Sequence, residues 1–511
     1  MRDAARPFTT DGRLGNLADL AAAPVDVLVI GGGITGAGVA LESVRRGYSV
    51  GLVEARDFAA GTSSRSSKLV HGGFRYLAQG EVGLVREALQ ERKALRKLYP
   101  DLVHPLPFLL PVPRHRRESL VLKTGLILYD LLAADGGFPR HRRIGLAAAH
   151  ELAPALHRSD IRGAWHFYDG QTDDTRLTLR VLRQAAEAGA RVANYAAVTS
   201  AARQGEEWLV DVEDRVTGAR LQARARYLVN ATGVWAEELE GLSGRPPRFH
   251  MAPSKGVHLS LAAADLPIEV ALVFPTGDGR VLFAVPWHGY VIVGTTDNEY
   301  HGDVVSPDCT PDEEADVLRA VNRFFGLSLG HDSVRSRWAG VRPLVSTGKA
   351  RATKDLSRKP WIDIDDRGLV TITGGKLTTF RRMAMDAVDL LPRPRVPLAD
   401  TGAAPADAVA KPAVAAAGEL LPGDAGYTLA DVARACDEEM ALELEDALSR
   451  RLRLSFVDAA AAWQAAPAAA RVMAQKLGWT SVEPHLEKFR EHLQREFGMA
   501  TEELHLAVTG S

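Results

Sequence analysis

Val27-Leu28-Val29-Ile30-Gly31-Gly32-Gly33-Ile34-Thr35-Gly36 joins a short β-branched run to a glycine-rich turn. A run of this kind reads as a buried parallel strand. Gly31-x-Gly33-x-x-Gly36 then opens a helical stretch that ends near Gly47. Gly31 serves the tight turn, Gly33 the close approach of a pyrophosphate, and Gly36 the close packing of helix on strand. The helix N-terminus, with Ile34 and Thr35 in its first turn, offers unpaired N–H groups and partial positive charge to phosphates. The next apolar run, Val50-Gly51-Leu52-Val53, closes on Glu54. A carboxylate about 20 residues past the first glycine accepts from ribose hydroxyls and repels a 2′-phosphate. FAD or NAD is therefore favoured over NADP, with Arg56 just beyond the acid in the same contact set.

Composition sets the frame. The chain has 511 residues, 46% hydrophobic and 25% charged, with 62 Lys and Arg against 64 Asp and Glu and a net charge of −2. That is an ordinary globular balance with length for two or three domains, and it gives no steering toward nucleic acid. Cys309 and Cys436 lie far apart with no metal spacing, so a reducing, cytoplasmic setting fits and no metal is expected. Residues 1–24 lack the apolar core of a secretion signal and read as a loose N-terminal arm. The longest apolar run, Leu120 to Ala134, is broken by Lys123 and Asp130 and falls short of a membrane span.

The fold class read from this pattern is α/β. A Rossmann-like nucleotide domain is discontinuous in sequence (about 25–80, 165–235 and 365–392), and an antiparallel-sheet substrate domain (about 81–164 and 236–364) is interleaved with it. A linker at 401–426 and a helical C-terminal domain at 427–511 follow. The stretch 61–73, GTSSRSSKLVHGG, is too polar and glycine-rich for a core element and reads as a loop meeting a ligand. Helices are expected at 81–99, with Val82, Val85, Leu89, Leu95 and Leu98 on its apolar side, and at 177–188. Strands are expected at 191–199, which includes Val198, and at 208–213, 221–230, 256–261, 281–285 and 290–295. Residues 402–425 are rich in Ala, Pro and Gly. Three helices follow at 428–450, 456–477 and 482–497, with Thr428-x-x-Asp431 and Ser455-x-x-Asp458 as cap starts.

Two later glycine motifs favour FAD over NAD. Tyr227-Leu228-Val229-Asn230-Ala231-Thr232-Gly233 is a strand ending in small residues that admit a dinucleotide to the backbone. Val370-Thr371-Ile372-Thr373-Gly374-Gly375-Lys376-Leu377-Thr378-Thr379 is a strand, a glycine pair and a new helix start. A helix N-terminus there can stabilise an anionic reduced flavin ring; a capped helix after a tight turn is the other reading.

With these, Ser63-Ser64-Arg65-Ser66-Ser67-Lys68-Leu69-Val70-His71-Gly72-Gly73-Phe74-Arg75-Tyr76-Leu77, Tyr168-Asp169-Gly170-Gln171-Thr172-Asp173-Asp174-Thr175-Arg176-Leu177, Lys255-Gly256-Val257-His258, Gly294-Thr295-Thr296-Asp297, Ala339-Gly340-Val341-Arg342-Pro343-Leu344 and Gly374 to Arg381 occur in order. The chain resembles the FAD-dependent, quinone-linked glycerol-3-phosphate dehydrogenases of aerobic glycerol metabolism. The likeness runs from Val25 into the C-terminal helices, where Glu438-Glu439-Met440-Ala441-Leu442 and Arg450-Arg451-Leu452-Arg453-Leu454 match the family's helical cap. Two departures stand out: the linker between Pro397 and Tyr427 is shorter than the family's, and Lys359 follows Ser357-Arg358 where the family has an acid.

The resemblance implies oxidation of sn-glycerol 3-phosphate to dihydroxyacetone phosphate on FAD, with electrons passed to a quinone. Arg75, Tyr76, Arg342, Arg358 and Lys376 are the expected clamp for phosphate and hydroxyls, since an arginine fork meets phosphate oxygens bidentately. His258 is the expected general base, with Arg342 supporting the alkoxide; His71, His288 and His301 are rivals. Expected FAD contacts are Gly31, Gly33, Ile34, Thr35, Gly36, Glu54, Arg56, Ser63, Ser64, Ser67, Lys68, Leu69, His71, Gly72, Val198, Ala231, Thr232, Gly233, Gly374, Gly375, Lys376, Leu377 and Thr378. Asp173-Asp174 reads as a helix cap before it reads as an acid/base pair. Arg114, Arg116, Arg117, Lys123, Arg140, Arg142 and Arg143 bracket the apolar run Leu120–Leu132. That is the composition of an interfacial helix on anionic lipid, or of an amphipathic core helix with a basic rim. A peripheral site on the cytoplasmic membrane face follows from the first reading, and a homodimer is left open. A glycerophosphate oxidase using O2 and an FAD amino-acid oxidase of the same fold are the competing enzymes. A non-catalytic flavoprotein would have shed the cations and base that Arg75, His258, Arg342 and Lys376 retain.

Overall fold

The structure is a computed structural model that describes residues 8–113, 116–133, 137–156, 161–346, 359–392 and 419–504. The run Val27–Ile30 lies at the centre of a mostly parallel sheet. The strand order is Pro360–Ile364, Leu369–Gly374, Arg220–Asn230, Val25–Ile30, Val50–Val53 and Arg191–Ala193. Along this order neighbours pair parallel except the antiparallel edge strand Pro360–Ile364, and Glu207–Asp214 with Ala196–Gln204 adds an antiparallel pair beside Arg220–Asn230. Val27 and Val29 bury against the helices Ile34–Arg45, Asp174–Glu187 and Phe380–Asp389 on one face. Leu28 and Ile30 bury on the other face with Leu17, Leu20 and Trp208. Burial on both faces explains why the strand carries no polar alternation.

Residues 10–22 are not the loose arm expected. They form the helix Thr10–Ala22, capped by Thr9, and cover that second face. Arg13 is buried there and pairs with Asp214 while donating to the carbonyl of Asn194 at 2.8 Å. The expected strand 191–199 is two strands, Arg191–Ala193 and Ala196–Gln204, broken at the left-handed Tyr195 (φ 52°). Tyr195 N–H donates to the carbonyl of Arg56 and its hydroxyl to Asp446, and the chain turns from the parallel edge strand into Ala196–Gln204, which pairs antiparallel with Glu207–Asp214 in the same sheet.

The second sheet is antiparallel apart from one pair, Ala271–Pro275 on His104–Pro113. Its spine is Ser254–Ala262, flanked by Tyr290–Gly294 and Val334–Arg342. At the far end Leu69–Val70, inside the expected loop 61–73, pairs with Ile161–Gln171. The loop is therefore anchored to the substrate sheet at one end and to the nucleotide turn at the other. The helix Val82–Leu98 buries Val85, Leu89 and Leu95, but leaves Val82 and Leu98 exposed.

The C-terminal region is helical and packs on the outer face of the second sheet, with Phe456, Ala462 and Phe497 against Trp287, Ile292 and Trp338. Its first expected helix, 428–450, is corrected to Leu429–Glu439, which stops at the left-handed Met440 (φ 51°), and a π turn, Asp446–Arg451. Thr428 and Asp431 form the expected capping box. Ser455 does not start a helix. Asp458 caps Ala459–Leu477 by accepting from Ala461 N–H at 2.9 Å, and Ser455 is buried against Ser449. The linker residues 402–418 lie outside the described residues.

Candidate active site

The C-terminal ends of three neighbouring parallel strands deliver Gly31, Ala231 and Gly374 to one cavity of about 600 Å³. Gly31 adopts φ +111°, and a Cβ there would lie 2.5 Å from the carbonyl oxygen of Ala231. At Gly36 a Cβ would run into the carbonyl of Gly31. Gly36 therefore serves helix-on-strand contact and stands behind the cavity wall. Ile34 N–H donates to Ser63 Oγ at 3.0 Å, which pins the serine-rich loop to the helix N-terminus. Glu54 accepts from Gly32 N–H at 2.6 Å and from Arg56 N–H at 2.9 Å. Its burial pushes the carboxyl above the usual range while these two donors pull it back.

One end of the cavity holds Glu54, Arg56, Val198 and Trp235; the middle holds Gly31, Gly33, Thr35, Ser63, Thr232 and Gly233; the far end holds His71, Gly374, Gly375, Leu377 and Thr378. A carboxylate for a ribose, glycines and a helix N-terminus for a pyrophosphate, and a second helix start beyond them match the parts of FAD in order. Thr378 Oγ1 donates to the carbonyl of His71 at 3.2 Å, so the late strand and the early loop close this end together.

The substrate sheet supplies the roof. His258, Gly256, Thr295 and Arg342 line the same cavity, with Tyr76 and Lys376 opposite them in the chain's other segments. Gly294 pairs with His258 across the sheet, and a Cβ on it would meet the imidazole Cδ2 at 2.5 Å. His258 is buried, stacks on Trp338 (ring centroids 5.2 Å apart, 12° between planes) and lies 2.9 Å from Ser67 Oγ through Nε2. Its Nδ1 has no hydrogen-bond partner among the described residues. Burial first, then the charges of Lys68 and Arg342, push the ring down to about 3, with Asp174 opposing. The imidazole is thus a neutral acceptor at working pH. Arg342 is held by Thr295 Oγ1 and the Thr296 carbonyl, both at 3.0 Å, and by Asp297 at 3.2 Å. Lys376 Nζ sits 3.9 Å from the centre of the Tyr76 ring. The region collects Arg342 and Lys376 beside a neutral base, which suits an anionic substrate with a hydroxyl to deprotonate.

Several expected contacts are placed elsewhere. Lys68 is fully buried behind the wall, where it donates to Asp174 at 2.9 Å and to the Ser64 carbonyl at 2.6 Å. Burial, then the nearby Arg453, push its ammonium down to about 8. Ser64 is buried there too, its carbonyl turned to these cations, and Gly72 N–H is bound to Tyr129 and Asp169. Ser64, Lys68, Gly72 and Gly36 therefore support the wall without lining it. Asp173 caps its helix as expected, accepting from Thr175 and Arg176 N–H at 3.0 Å, while Asp174 carries the ion pair. His71 lines the cavity, His288 is exposed with its ring edge-on to Trp287, and His301 is exposed next to Glu299. The side chain of Arg75 and all of Arg358 lie outside the described residues. Sequence reasoning missed Trp235 and Trp338, which had no local signal, and did not single out Arg65 within the serine-rich loop or Thr295 beside Gly294, which both line the cavity.

Residues 26–381 match the family described as FAD dependent oxidoreductase, and residues 398–483 match the C-terminal domain of alpha-glycerophosphate oxidase. Glycerol-3-phosphate dehydrogenase 2 of Mycobacterium tuberculosis is 38% identical over 506 residues, covering 90% of this chain and 86% of the relative. The aerobic glycerol-3-phosphate dehydrogenase of Bacillus subtilis is 37% identical over 378 residues, 73% of this chain and 68% of that one. Among solved structures, the FAD complex of the Bacillus halodurans glycerol-3-phosphate dehydrogenase superposes with a TM-score of 0.75 at 28% identity, covering 96% of this chain and 98% of that one. The glycine oxidase of Geobacillus kaustophilus, with a TM-score of 0.55 at 20% identity over 74% of this chain and 97% of that one, shares the fold alone. Matched over nucleotide turn, substrate sheet and helical C-terminal region alike, the chain belongs to the FAD-dependent glycerol-3-phosphate dehydrogenase family.

Proposed function

We propose that this flavoenzyme oxidises sn-glycerol 3-phosphate to dihydroxyacetone phosphate with His258 as general base, and passes the electrons to a quinone. The single observation that carries the site is the neutral, buried His258 sharing one cavity with Arg342, Lys376 and the nucleotide glycines. FAD, when bound, supplies the acceptor for the hydride that leaves C2. The residues do the rest. Gly31, Gly33, Ile34, Thr35, Ser63, Ala231, Thr232 and Gly233 hold the pyrophosphate region, and Glu54, Arg56 and Val198 the ribose and adenine. Leu69, His71, Gly374, Gly375, Leu377 and Thr378 hold the ring end. Arg342, Lys376 and Tyr76 clamp the substrate's phosphate and hydroxyls, with Arg75 and Arg358 as the further cations the sequence offers for it. His258 takes the C2 hydroxyl proton on a ring nitrogen, with Ser67 Oγ 2.9 Å from Nε2 fixing the ring's orientation. Anaerobic addition of sn-glycerol 3-phosphate is expected to bleach the flavin absorbance fully, and glycine is expected to leave it unchanged. Bleaching by glycine alone would transfer the chain to the amino-acid oxidases.

The acceptor reading draws on the helix Arg116–Ala133. It exposes Leu120, Ile127, Leu128 and Leu131 beside exposed Lys123, Arg140, Arg142 and Arg143. Leu126 and Tyr129 on its other side are buried. Among the described residues no helix is long and apolar enough to cross a membrane, so contact with lipid would be at the surface. An apolar ridge rimmed by cations favours an anionic bilayer face, where a lipid-soluble quinone is found. Vesicles with anionic headgroups are expected to co-sediment the enzyme at low salt, and Leu120→Ser with Leu131→Ser to abolish it. No sedimentation at low salt, or faster reoxidation by O2 than by a soluble quinone, would favour a glycerophosphate oxidase.

A further inference from the structure

Lys68 does not line the cavity, yet it is a fully buried ammonium close behind its wall. Its surroundings are unusual. Nζ lies 5.3 Å from the Trp287 ring, 5.8 Å from Trp338 and 4.9 Å from Phe456. Asp174 is its counter-ion, and the same carboxylate takes a second cation, Arg453, at 3.1 Å. Arg453 comes from the C-terminal helical region. Its guanidinium also donates to the Ser64 carbonyl at 2.7 Å and to Thr175 Oγ1 at 2.8 Å. Burial alone would raise the Asp174 carboxyl, but Lys68 and Arg453 more than offset it and hold it charged.

The consequence falls on the loop between nucleotide turn and substrate sheet. The Ser64 carbonyl is bound by both cations, and Ser66 donates to Asp174 through N–H at 2.9 Å and through Oγ at 2.7 Å. Ser67 stands between Ser66 and Lys68, so its backbone is fixed from either side, and its hydroxyl faces His258 Nε2 at 2.9 Å. Lys68 and Arg453 both adopt left-handed backbones without being glycine, at φ 62° and 64°. Such conformations persist where surrounding contacts over-determine them, and they gather at functional sites.

Joining the two units does not require this arrangement. Arg450 and Arg451 already tie the helical region to Asp57, and Arg183 and Arg176 tie it through the Glu438 carbonyl and Glu439. We infer that Arg453 is a positioning residue for catalysis: through Asp174 and Lys68 it sets the loop 63–68 so that Ser67 orients His258 in the cavity. The helical C-terminal region is then part of the reaction apparatus. This rests on His258 as the base.

The test compares Arg453→Met with Arg176→Met, a second inter-unit cation that touches nothing in the loop, as FAD-loaded full-length enzymes. Two quantities are read: the rate constant for anaerobic flavin reduction at saturating sn-glycerol 3-phosphate, and the visible circular dichroism of the bound flavin. Arg453→Met is expected to slow reduction by about 10- to 100-fold and to alter the dichroism, because small displacements of a reacting group cost this much. Arg176→Met is expected to stay within about twofold with an unchanged spectrum, even where both lower Tm. In a Ser67→Ala background Arg453→Met is expected to cost less than about threefold more, since effects that share one route do not add. Full additivity, or wild-type reduction by Arg453→Met, would overturn the inference. If Arg453→Met does not fold, Arg453→Lys keeps the charge but loses the fork spanning Ser64, Thr175 and Asp174. Wild-type reduction there overturns it equally. His258→Ala runs in the same series. If that enzyme is fast, the base assignment fails, and the effect of Arg453→Met on rate and dichroism still decides the loop claim.

Discussion

His258→Ala is expected to lower the rate of flavin reduction by sn-glycerol 3-phosphate by about 10²- to 10⁴-fold, the span that a positioned general base supplies. FAD content is expected to stay near one per chain. The imidazole stacks on Trp338 and meets Ser67, and truncation leaves the nucleotide turn untouched. Substrate affinity is expected to change little, because the proton transfer develops in the transition state alone. The pH profile separates this base from an ordinary histidine. Burial and the flanking cations push the ring down to about 3, against about 6.5 in an unfolded chain. The reduction rate should therefore show no acid limb from this ring between pH 5 and 7. The sign for stability follows. Above about 6.5 the ring is neutral in both states and costs nothing; as pH falls below that, the unfolded chain takes up a proton that the folded ring refuses. Stability should decline through that window in wild type, and less in His258→Ala. A rate within about threefold of wild type in His258→Ala would remove the assignment, whereas an acid limb near 6.5 that vanishes with the residue would keep the base and overturn only the lowered ring pKa.

The nucleotide half was legible because its chemistry is local. Gly31, Gly33, Gly36 and Glu54 announce a strand, a turn and a helix within about 25 residues, and the observed elements fall at those positions. The late strand Leu369–Gly374 was legible for the same reason. What escaped depended on partners distant in sequence. Nothing around residue 13 shows that an arginine there meets Asp214, so a packed helix read as an arm. Nothing around residue 440 shows that Arg450 and Arg451 are drawn to Asp57, so a π turn read as the end of a long helix. Ser63, Ser64, Ser67 and Lys68 are alike by composition. Only the fold decides that Ser63 and Ser67 face the cavity while Ser64 and Lys68 turn away to Asp174 and Arg453. Trp338 is an unremarkable strand residue until the register Val257↔Ala339 places it opposite His258.

Arg342→Met is the other substitution with a large expected effect. Its guanidinium is not a mobile surface cation: Thr295, the Thr296 carbonyl and Asp297 hold it at the rim of the cavity. Gly256 leaves room for it, since a Cβ there would lie 2.6 Å from Nη2. A fork fixed in advance binds an anion without first losing side-chain freedom. Two charge-assisted hydrogen bonds to a phosphate are worth about 3–4 kcal/mol together, so kcat/KM for sn-glycerol 3-phosphate should fall by about 10²- to 10³-fold. The split of the loss between KM and reduction rate tells which oxygen the fork serves. If the phosphate alone is held, KM rises and the rate at saturation persists, because ground and transition states lose the same contact. If the developing alkoxide is also stabilised, the rate at saturation falls as well. Glycerol provides the control. An enzyme without the fork should discriminate far less between the phosphate ester and the free triol. Arg342→Lys should recover part of the affinity but little of the discrimination, since an ammonium keeps the charge and lacks the planar pair of donors. The released Asp297 is partly exposed, so Tm should move little and the kinetic loss cannot be charged to unfolding. An unchanged preference for the phosphate ester in Arg342→Met would place the anion site elsewhere, with Lys376 as the next residue to replace.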